Sequence, residues 1–385
     1  MTEADADKYS LPVVGFDSEL VELAFDLERL RGDLRRGTTP PRLIGDLHEL
    51  FQILMSVISA RIEGNRTTVF DAIDGMTGPE AQSTPSDSLR EIRNIRDAMA
   101  FVDAQGADIP VTHAFVRELH RLSVDGLVRE GDPTPGQYRA VNVQISQAAH
   151  VPPSHLYVHP EMSEWLDFVN RAMPTAQQMI HVAMAHHRFL WIHPFRNGNG
   201  RVSRLVSYAM LRRHGFESRG GLRAVNPTSV FGNDRDGYYG SLSAADDLSN
   251  EGTIDWCTFF VRGIHGDMER LTSLNDFEFV LTQLLDPVVD RLVAGGRASR
   301  GEGEAIRIAV RLQTVKAGDL ESALPGTPTQ RSVAIRSMVE RGLLEHDVRG
   351  PRFYRVPITS GLIGRLVINR LDDLGFMPSI LRDEI

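Results

Sequence analysis

The residues able to do chemistry concentrate in one stretch, His193-Pro-Phe-Arg-Asn-Gly-Asn-Gly-Arg-Val-Ser-Arg204. Gly198-Asn199-Gly200 lets the backbone turn sharply with successive N–H groups pointing inward. A helix starting there adds its positive N-terminus, and the two together make an anion cradle of the kind that holds phosphate. Arg201 and Arg204 stand at i and i+3 on one helical face, where their guanidinium forks can grip neighbouring phosphate oxygens. His193 opens the stretch, and an imidazole of ordinary pKa, near ~6.5, can take a proton from an attacking hydroxyl. These parts suit phosphoryl chemistry. The bland alternative is a helix-capping turn with a surface histidine and two solvated arginines, and the length of the motif weighs against it.

The elements that must position this stretch are mostly helical. An apolar stripe at Leu43, Leu47, Leu50, Leu54, Ile58 and Ile62, following Pro40-Pro41, predicts a long amphipathic helix ending near Glu63-Gly64. A polar stretch from Gly78 to Ser88 separates it from helical patterns at Leu89 to Val102 and Val111 to Leu127. Between Gly136 and Val158 the pattern changes: Val141, Val143 and Ile145 alternate with polar residues before Pro152-Pro153, which predicts a short exposed hairpin, a candidate flap. Helical periodicity returns at 161–172, 176–191 and 201–214, the last two flanking the glycine-rich loop.

A glycine-rich run at 294–303 reads as a linker. Beyond it the order is helix (306–312), short helix (317–324), a Pro325-Gly326 turn, helix (329–341) and two short strands around Gly350-Pro351, which resembles a winged helix-turn-helix. Its arginines, Arg331, Arg336, Arg341, Arg349, Arg352 and Arg355, outnumber the acids Glu340, Glu345 and Asp347 and allow DNA contact, against the alternative of a spacer domain with solvated arginines.

Composition bounds the rest. The 385 residues fit one medium domain and one or two smaller ones, and 42% hydrophobic with 24% charged residues is ordinary globular usage. A net charge of -9 argues against a general nucleic-acid coat or membrane-surface binder. Cys257 stands alone, which excludes an internal disulfide and any multi-cysteine metal site. His181, His186 and His187 lack zinc-site spacing and read as packing or surface residues. No apolar run approaches the ~18 residues of a bilayer span, and the polar start lacks a signal peptide's pattern, so a cytoplasmic protein is expected.

The motif His-x-Phe-x-acid-Gly-Asn-Gly-Arg-x-x-Arg is the signature of Fic domains, and the sequence resembles that family over about residues 40–265. The resemblance implies a mainly α, Fic-type helical core with a small β-hairpin flap, and a protein adenylyltransferase, a nucleotidyltransferase moving AMP from ATP to a Ser, Thr or Tyr hydroxyl. By it His193 is the base, Phe195 the loop's buried anchor, Gly198, Asn199 and Gly200 the nest for the α and β phosphates, Arg201 a phosphate ligand and Arg204 the γ-phosphate ligand. Arg196 and Asn197 complete the phosphate loop, and Tyr238 or Tyr239 lies beside the adenine or, alternatively, packs in the core. The similarity reaches Gly136-Gln-Tyr-Arg139 and a flap, with Val143, Gln144 and Ile145, that docks a target by strand addition. The departure is Asn197, which stands where the family carries the acid that ligates Mg²⁺; a neutral amide is a poorer ligand for a hard cation.

A second signature, Ser59-Ala-Arg-Ile-Glu63-Gly64, matches the family's inhibitory pattern. Glu63 falls in the last turn of its helix, where the macrodipole disfavours a negative charge by ~0.3–1 kcal/mol, so a nearby cation is expected to compensate, Arg204 being the candidate. The alternative is a solvated glutamate before a glycine cap. The expected organisation is an N-terminal extension (1–39), the Fic domain (40–265) with its inhibitory helix at about 43–64, a connecting helix and linker (266–303), the winged helix (304–358) and a helical tail (359–385). Expected partners are a protein target, the chain itself among the candidates, DNA through the winged helix and a second copy in a homodimer. The competing function is a DNA-binding regulator whose Fic module binds nucleotide without efficient turnover.

Overall fold

The structure, a computed structural model, describes residues 8–77, 85–106, 108–146, 148–217 and 225–384. The polar start and much of the 78–88 stretch lie outside these residues. Helix α1 (Glu19–Leu34) packs along α11 (Asn250–Ser273), while α2 (Pro41–Ile62) is followed by α3 (Val69–Thr77), α4 (Asp87–Ala104) and α5 (His113–Val124). Next come α6 (Val158–Val169), α7 (Gln178–Ile192), α8 (Asn199–Arg213), α9 (Thr228–Asn233) and α10 (Arg235–Ala244). Helices α7 and α8 form an antiparallel pair at the centre, with α6, α11, α5 and α4 packed around them.

Helix α2 carries the predicted stripe and more: Leu47, Leu50, Ile53, Leu54, Val57, Ile58, Ala60 and Ile62 are all almost fully buried. By length and composition alone it is apolar enough to cross a membrane, contrary to the reading of apolar runs, but 72% of its most apolar window is buried inside the fold. Proline at its first turn starts it, where no N–H is missed. Gly64, at φ +95°, ends it in a conformation that side chains other than glycine's rarely adopt.

The expected hairpin at 141–153 is not a hairpin. No strand forms there among the described residues, and no backbone hydrogen bond joins Val143 or Gln144 to another described residue. The alternation is real, but with no partner strand alongside it leaves an open segment, with Ala148 N turned back to Ile145 O at 3.4 Å, rather than a ladder. Asn142 Oδ1 accepting from His155 N at 2.9 Å and His150 Nε2 at 2.8 Å from Trp191 O hold it on the body of the protein.

The expected linker is shorter than predicted. After α12 (Phe277–Phe279), a π-helical turn (Val280–Leu285) and α13 (Asp286–Ala294), helix α14 (Arg300–Leu312) already begins. A capping box between Ser299 and Glu302 draws Gly301 and Gly303 into its first turn. A 3₁₀ turn (Ala317–Leu320), α15 (Pro328–Glu340) and the strands β1 (Glu345–His346) and β2 (Tyr354–Arg355) follow, paired antiparallel with Glu345 opposite Arg355. Val315 bridges to Tyr354, and α16 (Gly361–Asp373) and a final 3₁₀ segment (Ser379–Glu384) complete the chain.

This C-terminal unit lies against α2. Arg42 pairs with Asp347, Asp46 with Arg355 at 3.0 Å, the rings of Phe51 and Phe376 are 6.3 Å apart, and Arg61 donates to Ile380 O at 2.9 Å. Of the six arginines counted toward DNA contact, four are engaged within the protein: Arg331 with Glu321, Arg341 with Glu302, Arg349 with Asp347 and Arg355 with Asp46 and Glu345.

Candidate active site

The loop between α7 and α8 is built from a strained cap and a double clamp. His193 N donates to Phe189 O at 3.0 Å, ending α7, and His193 itself takes the left-handed conformation at φ +50°. Pro194 behind it cannot continue the helix and keeps its predecessor out of the right-handed helical region. Asn199 then closes the loop: its Oδ1 accepts from Phe195 N and its Nδ2 donates to Phe195 O, both at 2.9 Å. Gly198, at φ +75°, begins α8, and a Cβ there would meet Val124 at 2.9 Å.

Beneath the loop lies a layer that sequence reading missed. Phe195 is fully buried and stacks on His120, with ring centroids 3.8 Å apart and planes 4° apart. His120 Nδ1 accepts from Gly136 N at 2.9 Å, so its Nε2 carries the proton and donates to Asn197 O at 3.2 Å. Burial pushes the His120 pKa down to about 4, against the pull of Asp132. Asp132 Oδ2 accepts the N–H groups of both Arg196 and Asn197 at 3.2 Å. His120 and Asp132 sit far from the loop in sequence with no motif of their own, and only the fold brings them under it.

The predicted phosphate ligands are used differently from one another. Arg201 is buried and turned inward, donating to Ser123 O at 3.2 Å and Glu130 O at 2.8 Å and lying 3.4 Å from Glu91. Arg196 is exposed. Asn197 Oδ1 accepts from Gly198 N at 2.7 Å and its Nδ2 reaches Gly131 O at 3.4 Å. With its oxygen so engaged and neutral, and with no group of three His, Cys, Asp or Glu side chains converging among the described residues, these residues do not make a protein-held Mg²⁺ site.

Arg204, fully buried, meets the inhibitory signature. Its Nε donates to Ser59 Oγ at 2.9 Å, and its Nη2 donates to Ser59 O at 3.1 Å and to Glu63 Oε1 at 2.8 Å. The Glu63 carboxylate also lies at the head of α8, so close that a Cβ on Gly200 would come 2.3 Å from Oε1. Burial alone would raise the Glu63 pKa, but the charges of Arg204 and Arg201 outweigh it and hold the carboxyl below its ordinary value. Arg235, which sequence reading also missed, donates to Ile62 O at 3.1 Å at the end of α2, and Asn65 ties the segment after Glu63 to Glu91 at 2.8 Å.

Of the two tyrosines, Tyr238 is buried, with its hydroxyl 3.0 Å from His186 Nε2 and its ring stacked on Phe231, while Tyr239 is 42% exposed. His193 Nδ1 is 3.3 Å from Leu190 O; a carbonyl only accepts, so Nδ1 carries the proton and Nε2 keeps its lone pair. Burial, opposed by that hydrogen bond, pushes the His193 pKa down to about 4, leaving a neutral base at physiological pH. His181 Nε2 donates to Phe168 O, His186 contacts Ser207 and His187 Nε2 donates to Leu242 O, and all three are buried packing residues.

The arrangement is a neutral base, a helix head, and a carboxylate lodged against that head on Arg204. Residues 110–211 match the Fic/DOC family. The chain is 30% identical over 220 residues to the protein adenylyltransferase Fic of Drosophila willistoni, covering 56% of this chain and 40% of that protein. It is 24% identical over 249 residues to the protein adenylyltransferase fic-1 of Caenorhabditis briggsae, covering 61% and 44%. It thus spans less than half the length of these relatives. Among solved structures, a Fic family protein from Desulfovibrio desulfuricans shares the fold with a TM-score of 0.56 at 19% identity, over 90% of this chain and 98% of that one. Fic-1 from C. elegans does so with a TM-score of 0.53 at 18% identity, over 65% and 71%. The segment that matches the Fic/DOC family, residues 110–211, contains the loop between α7 and α8 and leaves α2 and Glu63 outside it.

Proposed function

We propose that this chain is a protein adenylyltransferase that moves AMP from ATP to a Ser, Thr or Tyr hydroxyl of a protein, and that Glu63 holds it silent. The names of its relatives support the reaction class. The observation that carries the rest is the Glu63 carboxylate lodged against the head of α8, on Arg204. An anion occupies that place in the resting chain, and a γ-phosphate on Arg204 would have to displace it.

The reaction follows from the parts. The target hydroxyl oxygen attacks the α-phosphorus while His193 Nε2 takes its proton; the bond from the α-phosphorus to the bridging oxygen breaks and pyrophosphate leaves. With the N–H groups of Phe195 to Gly198 held by Asn199, Asp132 and Asn197, phosphate charge is received by the helix head at Asn199 and Gly200. Val143, Gln144 and Ile145 offer open backbone to a target segment as a new strand. In this reading Tyr239 contacts the adenine, with the buried Tyr238 ring 5.1 Å from its own. A divalent ion brought with ATP would neutralise phosphate charge, but the protein steps here belong to His193, the helix head and Arg204. Cytoplasmic location is part of this proposal, motivated by the ATP consumed and the single buried thiol of Cys257.

The test is a His193→Ala exchange in a chain freed by Glu63→Gly: transfer from α-labelled ATP should vanish while ATP binding persists. Transfer surviving the exchange would remove His193 from the reaction.

A further inference from the structure

We infer that Arg139 is the positioning residue that sets a docked target segment at its working distance from His193, an inference that rests on the protein-modifying reading of the site. Arg139 is 3% exposed, and among the described residues the hydrogen bonds of its guanidinium go to backbone carbonyls. Nε donates to His193 O at 2.8 Å and Nη2 to Ile192 O at 3.4 Å, the carbonyls at the C-terminal end of α7. Nη1 donates to Val141 O at 3.0 Å and Nη2 to Pro153 O at 2.5 Å. Its own N–H donates to Pro194 O at 2.9 Å.

Val141 and Pro153 bound the open segment, so one planar group ties both ends of that segment to the backbone of the base. A guanidinium holds its five N–H donors in a fixed plane, which converts the position of His193 into the position of the segment. Between the two ties, Val143 and Gln144 keep backbone groups without partners among the described residues, available to an extended acceptor. An acceptor strand paired there inherits the same geometry. Its hydroxyl then stands at a distance from Nε2 that Arg139 fixes, and a displacement of about 1 Å in such an arrangement costs up to ~10²-fold in rate. A residue that served only to cap α7 would affect folding and ATP use as much as acceptor use.

The test uses the full chain carrying Glu63→Gly, with α-labelled ATP and total lysate protein as acceptor, each varied in turn. Arg139→Gln removes the ties; Arg139→Lys keeps the charge at the end of α7 but its single nitrogen cannot reach His193, Val141 and Pro153 together. Both should lower kcat/KM for the acceptor by roughly tenfold or more, with KM for ATP changed by less than about twofold. An equal rise in both KM values, or full acceptor use by Arg139→Lys, would overturn the inference. Should Arg139→Gln fail to fold, the lysine exchange decides. If the Glu63→Gly chain transfers nothing before any change at Arg139, the transferase reading itself fails and this inference falls with it.

Discussion

Glu63 Oε1 lies 2.8 Å from Arg204 Nη2, and the same oxygen occupies the space a side chain at Gly200 would need. One carboxylate therefore neutralises the arginine and fills the helix head, the two groups that the proposed function gives to a bound triphosphate. Arg204 is held on its other edge by Ser59, so the proposed lock is a three-residue contact between α2 and α8.

Ser59→Ala should loosen this lock without abolishing it. The hydroxyl accepts from a buried guanidinium, and leaving such a donor unmatched costs about 1–3 kcal/mol. Labelling from α-labelled ATP should rise above wild type yet stay below that of Glu63→Gly. No gain, in a chain that folds and binds ATP, would show that Ser59 holds Arg204 equally in both states.

The acid limb of transfer should lie unusually low. With the His193 pKa near 4, the neutral base form persists well below pH 6, and Glu63, which raises that pKa, is absent from the Glu63→Gly chain. Its rate should stay flat as pH falls from 8 to about 5.5, where an imidazole of pKa ~6.5 would already be about tenfold depleted in its base form. A midpoint near 6.5 would assign the base to a solvated histidine.

Stability should fall with acidity over a defined window. His181 and His186 are buried with pKa values depressed by desolvation, His181 to about 4 and His186 well below its ordinary value. Below pH ~6.5 the unfolded chain binds protons that the folded chain refuses, so each histidine subtracts on the order of 1 kcal/mol per pH unit down to its folded pKa. Melting temperature should drop between pH 6.5 and 4.5, and His186→Gln should flatten that drop; an unchanged slope would contradict the assignment.

Asn199→Ala should damage the loop more than the fold. It removes two hydrogen bonds that hold Phe195 against His120, so transfer by the Glu63→Gly chain should fall by ~10- to 100-fold through a misplaced helix head. Circular dichroism should remain helical. Full activity would show that the stacking of Phe195 on His120 suffices.

Much of this site is legible in the chain because it is local. The stripe on α2, the glycines at 198 and 200 and the spacing of Arg201 and Arg204 are set by neighbours a few residues away. The spacing does not say what stands opposite: Arg201 faces Ser123, Glu130 and Glu91 rather than the cradle, and Asn199 spends its amide on Phe195. His120, Asp132 and Arg235 act across 16 to 173 residues of chain, where no period reaches. The flap kept its alternation but not its partner, and the linker lost Gly301 and Gly303 to a helix whose capping box Ser299 and Glu302 do spell out.

The central claim, that Glu63 blocks a competent transferase, is tested most directly by labelling with α-labelled ATP at matched protein concentration. The wild type, Glu63→Gly, and Glu63→Gly with Arg204→Ala or with His193→Ala should be run side by side. The account predicts near silence from the wild type, strong labelling of itself or of a lysate protein by the single exchange, and loss of that gain in both double exchanges. A Glu63→Gly chain that is folded, binds ATP and labels no better than the wild type would contradict it.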